Sequence, residues 1–385
     1  MIDGLVNFNL DEVSPTIIKV IGVGGGGGNA VEYMYSKGIC DVDFVLCNTD
    51  AQILENSPVP VKIQLGRELT DGHGAGNNPA IGAKSAEESL EEIKEMLRKN
   101  TKMAFITAAM GGGTGTGAAP VIAKLAKDMG ILTVGIVSIP ARFEGPKRLN
   151  QAREGLRSLK DNVDCLIVID NEKIKRIYGS QTISAAFAKA NDVLNIAAKG
   201  IAEVITLPGY INVDFADVKT VMTNSGVAIM GAAQASGEDR ARRAITEALD
   251  SPLLNNNDIR GAKDILLNIT SGTDEVTMNE MTEITSIIIH RVGDSAAVIW
   301  GVGTDESLGS AVSVTVIATG FPKDDIEILD QQPGDRKAEN DLILRDDEVV
   351  LKPNLTPEEI KELIEEPAFK RRSNVRTVSY THLTL

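Results

Sequence analysis

Residues 111–117 read Gly-Gly-Gly-Thr-Gly-Thr-Gly, and they decide how the rest of the chain is interpreted. An apolar run at residues 103–109 precedes them, and residues 118–126 follow with the apolar spacing of a helix. A strand, a glycine-rich loop and a helix in this order bring backbone N–H groups against phosphate oxygens at the positive end of the helix. Because glycine has no side chain, the backbone can approach a phosphate closely. The stretch therefore predicts a phosphate-binding loop.

This loop differs from the Walker A pattern, in which a lysine precedes a Ser or Thr. No lysine lies within residues 111–117. The P-loop mechanism, in which that lysine reaches the phosphates, therefore does not transfer to this chain. The phosphates must be held in another way.

Length and composition restrict the class of protein. The 385 residues are enough for two or three domains, and 43% hydrophobic with 24% charged residues is typical of a soluble globular protein. No apolar run approaches the roughly 20 residues that span a bilayer, and the N-terminus has no basic region followed by an apolar one. The sequence therefore predicts neither direct membrane insertion nor secretion.

The cysteine content indicates the redox compartment of the protein, and the net charge restricts the classes of ligand that it can bind. Cys40, Cys47 and Cys165 are an odd number without the spacing of metal ligands, which favours a reducing cytoplasm and buried apolar roles. A net charge of −15 argues against nucleic-acid binding, because such proteins need a basic surface. It does not exclude a nucleotide, whose phosphates can be held by local loops.

A second glycine-rich stretch follows the β-branched run at residues 16–23. Gly22, Gly24 and Gly27 match Gly-x-Gly-x-x-Gly, the pattern of dinucleotide-binding folds. Candidate acids for a ribose follow at Asp41, Asp43 and Asp50. Read alone, the stretch is weak support for an NAD-dependent oxidoreductase. The further loop at residues 111–117 and Asn29, directly after the glycines, favour another kind of nucleotide site.

Further candidate nucleotide-binding residues lie in a third glycine-rich loop and after a later strand. Residues 72–79 form a third glycine-rich loop, and Glu144 and Arg148 follow a buried strand predicted at residues 131–138. A carboxylate and a basic residue four positions apart can bind a ribose and an anion, or can pair with each other at a helix start. Strands and helices alternate from residue 16 to about 175, which predicts a parallel sheet covered on both faces.

These motifs, in this order, resemble the tubulin/FtsZ family of GTPases, whose signature loop is Gly-Gly-Gly-Thr-Gly-Thr-Gly. The resemblance covers residues 16 to 320 densely. It implies an α/β fold with a Rossmann-like parallel-sheet GTPase domain, a long central helix, a smaller α/β domain with a mixed sheet, and a disordered C-terminal tail. The expected boundaries are a flexible N-terminus at 1–15, a GTP-binding domain at 16–180, a central helix at 181–207 and an activating, polymerisation domain at 208–320.

The resemblance also implies which residues contact GTP or GDP. The phosphate-binding residues are Gly25, Gly26, Gly27, Gly28, Asn29, Gly111, Gly112, Gly113, Thr114, Gly115, Thr116 and Gly117. Ala75, Gly76 and Asn77 sense the terminal phosphate, although the family usually has alanine at the position of Asn77. Glu144 and Arg148 complete the nucleotide site. Mg²⁺ accompanies the nucleotide, and no metal ligand from the protein itself is expected.

The guanine is assigned to the long helical pattern at residues 184–206. Phe187 and the pair Asn191 and Asp192 lie one turn apart on one face of that helix. Residue spacing alone favours a core phenylalanine beside a polar helix face. The resemblance implies instead that Phe187 stacks on the base and that Asp192, with Asn191 adjacent, reads the guanine edge.

The catalytic segment contains Asn212, Asp214 and Asp217. The two acids are three residues apart at a helix start, where capping and the helix dipole favour acids without any catalysis. The segment also matches the family's Asn-x-Asp-x-x-Asp loop, which enters the nucleotide site of a neighbouring subunit. The resemblance therefore implies a shared active site in which these residues catalyse hydrolysis.

Spacing outside the motifs predicts further elements. One amphipathic helix is expected over residues 83–99, and another helix over residues 218–235. Later helices are expected at 239–250 and 278–292, with strands at 264–269, 296–302 and 310–319.

The C-terminal stretches carry different patterns. Residues 321–355 show little periodicity, which predicts a disordered linker. Residues 356–372 begin with a complete helix start and resemble the family's peptide that recruits membrane anchors and other division proteins. Residues 373–385 match nothing in the family and are assigned no role.

The resemblance, supported by these features, implies a GTPase that polymerises head to tail and forms the division ring at mid-cell in a bacterial cytoplasm. Self-assembly should stimulate its hydrolysis of GTP to GDP and phosphate. One alternative is a related tubulin-like filament protein that segregates plasmids. The alternative from another class is the NAD-dependent Rossmann oxidoreductase.

Overall fold

The computed structural model describes residues 16–39, 41–206, 209–211, 213–250, 259–293 and 296–321, with the backbone alone at 209–211. Cys40, Asn212, the N-terminal segment 1–15, the linker beyond residue 321 and the C-terminal peptide lie outside the described residues. The strands are β1 (Ile18–Val23), β2 (Val42–Asn48), β3 (Val61–Gln64), β4 (Met103–Ala109), β5 (Leu132–Ile139), β6 (Cys165–Asp170), β7 (Gly209–Ile211), β8 (Gly226–Ser236), β9 (Asp264–Ser271), β10 (Ala297–Thr304) and β11 (Ala311–Thr319). The helices are α1 (Gly24–Ser36), α2 (Ala51–Asn56), α3 (Arg67–Thr70), α4 (Pro79–Glu88), α5 (Leu90–Arg98), α6 (Thr114–Asp128), α7 (Pro146–Asn162), α8 (Asn171–Tyr178), α9 (Ile183–Thr206), α10 (Phe215–Met222), α11 (Arg240–Leu249) and α12 (Met278–Val292).

The first half of the sheet is parallel throughout. Its strands lie in the order β3-β2-β1-β4-β5-β6, and every neighbouring pair is parallel. Val20 and Ile21 point to opposite faces of β1, yet both are buried, because helices cover each face. The predicted parallel sheet with two covered faces is confirmed.

The second half of the sheet is mixed. Strand β11 is antiparallel to β8 and β9, whereas β9 and β10 are parallel. Helices α11 and α12 contribute to one apolar core with these strands. Strand β8 also pairs with the first three residues of β6, 165–167, so the two halves form one continuous sheet.

Helix α9 connects the two halves. Its 24 residues span roughly 36 Å at 1.5 Å per residue. The core on its side of the sheet contains both Val20 of β1 and Leu266 of β9. Gly200 lies against β11, where an added Cβ would come within 2.9 Å of the Thr315 methyl group. Glycine at this position therefore allows the helix to pack closely on the second half.

Two helical predictions were wrong. Residues 218–235 divide into the end of α10 and the strand β8. Strand β8 lies between β6 and β11 in the sheet. The prediction was wrong because an apolar run of this kind fits a strand as well as a helix. Residues 83–99 divide into α4 and α5 at Ser89. The Ser89 hydroxyl accepts a hydrogen bond from Gly66 N at 3.1 Å, a contact with a distant loop that local spacing does not reveal.

Candidate active site

The three glycine-rich stretches converge at one edge of the parallel sheet. The first stretch follows β1 and the second follows β4, whereas the third, at residues 72–79, packs beside the second. An added Cβ at Gly24 would lie 2.8 Å from Gly115 N, and one at Gly113 would lie 2.8 Å from Asn78 N. The three backbones therefore touch one another, with no room for side chains between them.

The first glycine stretch is helical rather than a free loop. Helix α1 begins at Gly24, so Gly25 and the three glycines after it form its first turns. An added Cβ would collide with Ala109 at Gly26 and with the Thr107 carbonyl oxygen at Gly27. The first N–H groups of a helix have no partner within the helix, and its positive end favours an anion. Exposed Asn29 follows on the same helix.

The second stretch starts α6 in the same way. At Gly112 an added Cβ would meet nothing within 4 Å, so this backbone faces open space. Thr114 Oγ1 lies 2.7 Å from Thr49 Oγ1 at the end of β2. Thr116 is buried, and its hydroxyl accepts a hydrogen bond from Gly111 N at 2.8 Å. Thr116 therefore shapes the loop from behind.

The remaining glycines of the second stretch have packing positions. Gly115 and Gly117 are buried within α6. An added Cβ at Gly117 would collide with the Pro79 carbonyl oxygen, where α4 begins. Close contact between α4 and α6 brings the third loop beside the second.

The third loop presents the residues expected to sense the terminal phosphate. Ala75 is buried, whereas Gly76 and Asn77 are exposed, each with φ of 57°. Asparagine adopts this left-handed conformation more readily than most residues. The Asn77 carbonyl accepts a hydrogen bond from Gln151 Nε2 at 3.2 Å, which ties the loop to α7.

Glu144 and Arg148 pair with each other, as the structural alternative predicted. Arg148 Nη1 lies 2.9 Å from Glu144 Oε2, and Glu144 Oε1 accepts a hydrogen bond from Ala141 N at 2.9 Å. An added Cβ at Gly111 would lie 2.9 Å from the Arg148 carbonyl oxygen. The ion pair is therefore adjacent to the second glycine stretch, where the two groups can also meet a ligand.

A pocket of about 120 Å³ lies next to this ion pair. Glu144, Phe187, Tyr178 and Asn171 contribute to its wall, and Phe187 is 46% exposed. Among the described residues, the buried Asn171 Oδ1 has no hydrogen-bond partner. Asn171 was not predicted as a site residue, although it directly follows β6, and ligands of parallel sheets bind at such carboxyl ends.

Asp192 of the central helix α9 contacts the first glycine helix, α1. Tyr33 of α1 donates a hydrogen bond from its hydroxyl to Asp192 Oδ1 at 3.1 Å, and Lys189 Nζ lies 4.0 Å from the same carboxylate. Asn191 is half-buried beside it on α9. Tyr33 was not predicted, because its contact joins residues that are 159 positions apart.

The acids of the predicted catalytic segment are exposed at the start of α10. Asp214 is the N-cap, and its Oδ1 accepts a hydrogen bond from Asp217 N at 2.9 Å, so the capping alternative is observed. Beyond the far end of α10, Asn224 Oδ1 accepts a hydrogen bond from Lys127 Nζ at 3.0 Å. Lys127 lies in the last turn of α6, at the opposite end from the glycines. The far end of α10 therefore lies beside the end of α6 that is opposite the glycines, and the contact observed for these acids is the one within α10.

Comparison with known proteins identifies the family of this chain. Residues 17–179 match the family model described as Tubulin/FtsZ family, GTPase domain, and residues 226–322 match the FtsZ family, C-terminal domain. A cell division protein FtsZ from Porphyromonas gingivalis is 48% identical over 326 residues, which are 84% of this chain and 71% of the relative. One from Coxiella burnetii is 48% identical over 82% of both chains. The chain belongs to the FtsZ family.

A solved structure supports the same fold for the FtsZ-family chain. The structure titled FtsZ dimer, empty, from M. jannaschii has a TM-score of 0.74 and 44% identity, and it covers 79% of this chain and 88% of its own. The tubulin-like fold is thereby confirmed. The chain is a guanine-nucleotide-binding GTPase with a cytoskeletal role in cell division. The plasmid-segregation and oxidoreductase alternatives are not favoured.

Two features of the described residues bear on cofactors and membranes. In that part of the FtsZ-family chain, no group of three or more His, Cys, Asp or Glu side chains is arranged to hold a metal ion. Over the same residues, no helix combines the length and apolar character that crossing a membrane requires. Cys47 and Cys165 are buried, as predicted.

Proposed function

We propose that this FtsZ-family chain hydrolyses GTP in a site that two copies complete, with the glycine loops from one copy and the acids from the next. The observation that carries the proposal is the exposure of Asp214 and Asp217 at the start of α10, whose far end lies beside the end of α6 that is opposite the glycines. Helix α9 begins beside the pocket at Glu144 and runs roughly 36 Å before the acid segment follows. A neighbouring copy can bring its acids to the loops without refolding.

The glycine loops supply the means to hold the phosphates. We assign the phosphates to the N–H groups at the starts of α1 and α6, where the positive helix ends favour negative charge. The loop from Ala75 to Asn77 lies beside Gly113, where it can meet a terminal phosphate. Mg²⁺ would be held mainly by phosphate oxygens and would neutralise charge on the β- and γ-phosphates.

The pocket at Glu144 supplies the means to recognise guanosine. We assign the ribose to Glu144 and Arg148, and the base to the exposed ring of Phe187. The Asp192 carboxylate, with Asn191 beside it, would accept from the N1–H and amino groups of guanine. The unpartnered Asn171 Oδ1 can accept a further hydrogen bond from the base or ribose.

Asp214 and Asp217 would orient the water that attacks the γ-phosphorus. Phosphoryl transfer depends on positioning and charge stabilisation rather than on covalent catalysis by the protein. Asn212 is proposed to assist them, although it lies outside the described residues. Because hydrolysis needs a contact between unlike surfaces, repetition of the contact produces an open head-to-tail filament.

The wider biological role is proposed on the same basis. The filament would form a ring at mid-cell and bind membrane anchors and other division proteins through residues 356–372. We retain the boundaries 16–180, 181–207 and 208–320 as proposed functional divisions of the chain. The strands of the first and last divisions belong to one continuous sheet. The relatives that are named cell division proteins support this role.

A mixing experiment tests the shared site. Gly112→Leu places a side chain in the open ligand space, and Asp217→Ala removes an acid, so each variant alone should release little phosphate. In an equal mixture, junctions that combine intact loops with intact acids should restore about a quarter of the wild-type rate. The measurement is phosphate release from GTP at a protein concentration that supports assembly.

The matched control for mixing is a pair of variants with lesions in the same surface. Asp214→Ala mixed with Asp217→Ala should stay inactive, because every junction then lacks one acid. If the Gly112→Leu and Asp217→Ala mixture is no more active than either variant, the acids and loops do not act across two copies. Light scattering during the same assay verifies that both mixtures assemble.

A further inference from the structure

A large groove lies away from the nucleotide site, on the face of the sheet covered by α5. It encloses about 690 Å³ and extends from β1 across β2 to β3. Val45, Val61, Ile63 and Met96 provide apolar surface. The volume is well within the range of pockets that bind other molecules or segments. None of the proposed GTP-binding or catalytic residues lines this groove.

The edge strand β3 forms one side of the groove. β3 is the last strand in the sheet order, so its outer edge has no strand beside it among the described residues. Val61 is 41% exposed. Edge strands with exposed apolar residues usually bind another strand or are covered, because their free N–H and C=O groups pair readily.

The first described residue, Thr16, also lines the groove. Lys19 Nζ lies 2.6 Å from Asp43 Oδ2. Burial raises the pKa of the Asp43 carboxyl, but hydrogen bonds from Lys19 and Thr16 and the charge of Lys19 together lower it below its ordinary value. These contacts hold Thr16 at the rim of the groove, so residues 1–15 join the described chain at that point.

The preceding sequence has the pattern of a strand with one apolar face. Residues 6–10 read Val-Asn-Phe-Asn-Leu, in which apolar and polar residues alternate. Two strand spacings, about 10 Å, separate β1 from β3, and the six residues from Leu10 to Thr16 can extend about 20 Å. The groove lining contains three basic residues and three acidic ones, so the apolar alternation rather than charge favours this segment as the occupant.

We propose that residues 6–10 bind in this groove along the edge of β3, with Val6, Phe8 and Leu10 directed toward Ile63 and Met96. The polar residues Asn7 and Asn9 face away from the groove. This N-terminal segment thereby covers the free edge of the sheet at a distance from the nucleotide site. A second copy of the chain that pairs along the same edge is the competing occupant.

Disulfide trapping tests the proposal in the full chain with Cys40→Ser. Phe8→Cys combined with Met96→Cys should form a disulfide within one chain, at low protein concentration, in several-fold higher yield than the matched control Asn9→Cys with Met96→Cys. Burial raises the pKa of the Cys47 and Cys165 thiols to about 12, so they should not compete. Equal yields for the two pairs, or a disulfide that joins two chains, would overturn the proposal.

Hydrogen exchange provides a second measurement. In the variant Phe8→Asp with Leu10→Asp, the amides of residues 61–64 should exchange several-fold faster than in the unmodified chain, because the edge of β3 loses its cover. The amides of β4, in the sheet centre, should exchange at the same rate in both chains. Unchanged exchange at residues 61–64 would contradict the proposed position of the segment. GTP hydrolysis does not enter either measurement, so the outcome is independent of the shared active site.

Discussion

The half of the sheet that carries the glycine loops and the half that follows the acid segment are stabilised in different ways. In the first half, backbones approach so closely that a methyl group has no space at Gly27 or Gly117. In the second half, the buried guanidinium of Arg240 donates hydrogen bonds to Glu280, to Asp274 and to three backbone carbonyls. An added methyl group should therefore disrupt the first half, whereas an added proton should disrupt the second.

The comparison also separates structure from chemistry. The glycine loops pack against one another at Gly24, Gly113 and Gly117, so residues that are proposed to bind phosphate also shape the fold. Asp217, in contrast, is exposed and has little packing to lose. Substitutions at these closely packed glycines should change stability and function together, whereas at Asp217 the two effects should be separable.

The largest expected effect is on hydrolysis by Asp217→Asn. Loss of the carboxylate that is proposed to orient water should lower phosphate release about 10³-fold, a barrier increase of about 4 kcal/mol. The free energy of unfolding and GTP binding should change little, because Asp217 is exposed. Phosphate release is measured at saturating GTP and high protein concentration.

Lys219→Ala, on the exposed side of the same helix, is the control for Asp217→Asn. It should retain normal activity. If Asp217→Asn also hydrolyses GTP normally while it assembles, the separation between chemistry and packing is wrong for this helix.

Next in size is the effect of Gly117→Ala on stability. The added methyl group meets the Pro79 carbonyl oxygen, so α4 and α6 must move apart at a cost of about 3 kcal/mol in the free energy of unfolding. Gly112→Ala is the matched control, because its methyl group enters open space and should change stability by less than about 0.5 kcal/mol. Urea denaturation without nucleotide measures both. If both variants lose a similar free energy of unfolding, close backbone contact at Gly117 is not what makes this half of the sheet sensitive to an added methyl group.

A smaller effect, and one that depends on pH, is expected for Glu280→Gln. The hydrogen bond from Arg240, with further hydrogen bonds from Thr277, lowers the pKa of Glu280 from 4.5 to about 2 despite burial. Because the folded-state pKa is depressed, the stabilisation is complete above pH 4.5 and is lost as the pH falls from 4.5 to about 2. At neutral pH the variant should lose about 2 kcal/mol, because Arg240 loses a charged partner.

The pH dependence distinguishes this interaction from a surface ion pair. Glu283 lies on the same helix as Glu280 and forms a more exposed ion pair with Arg242 of α11. Glu283→Gln breaks this pair and should cost less than about 1 kcal/mol in the free energy of unfolding. Urea midpoints at several pH values between 7 and 3 measure both variants. The original chain should lose more stability below pH 4.5 than Glu280→Gln does. Parallel curves for the two would contradict the assignment of acid sensitivity to the Arg240 cluster.

The smallest effect concerns the contact between the first glycine helix and α9. Tyr33→Phe removes the hydrogen bond to Asp192 and should cost about 1 kcal/mol in the free energy of unfolding. A double-mutant cycle with Asp192→Ala should give a coupling energy of similar size. Tyr35→Phe, on the same helix and 41% exposed, is the control and should be neutral. Zero coupling would mean that the two residues do not support each other.

The sequence predicted most elements near the loops because their signals are local. A β-branched run that ends in glycine defines β1, and a capping box with apolar spacing defines α12, which begins and ends where it was predicted. Strand β8 was mistaken for helix, since a run of short and mostly apolar side chains has no clear period. The break at Ser89 depends on a partner in another loop.

The candidate site was predicted only in part for the same reason. The glycine stretches were found because small residues in that order have few other uses. Tyr33, Thr49 and Asn171 were missed, because each has its role through a contact with a distant residue or by bordering a pocket. The assigned roles of the ligand-binding and catalytic residues stay predictions.

The amino-acid sequence by itself determined the family, the parallel sheet and the positions along the chain where phosphates can be bound, because backbone approach requires glycine and strand ends are encoded locally. Only the tertiary structure decided that the three glycine stretches touch, and that Asp214 and Asp217 are exposed on a helix whose far end lies beside the end of α6 opposite the glycines. Those facts depend on how α9 and the shared sheet place elements that are far apart in sequence. Side-chain spacing describes one element at a time, whereas distances between elements follow from packing.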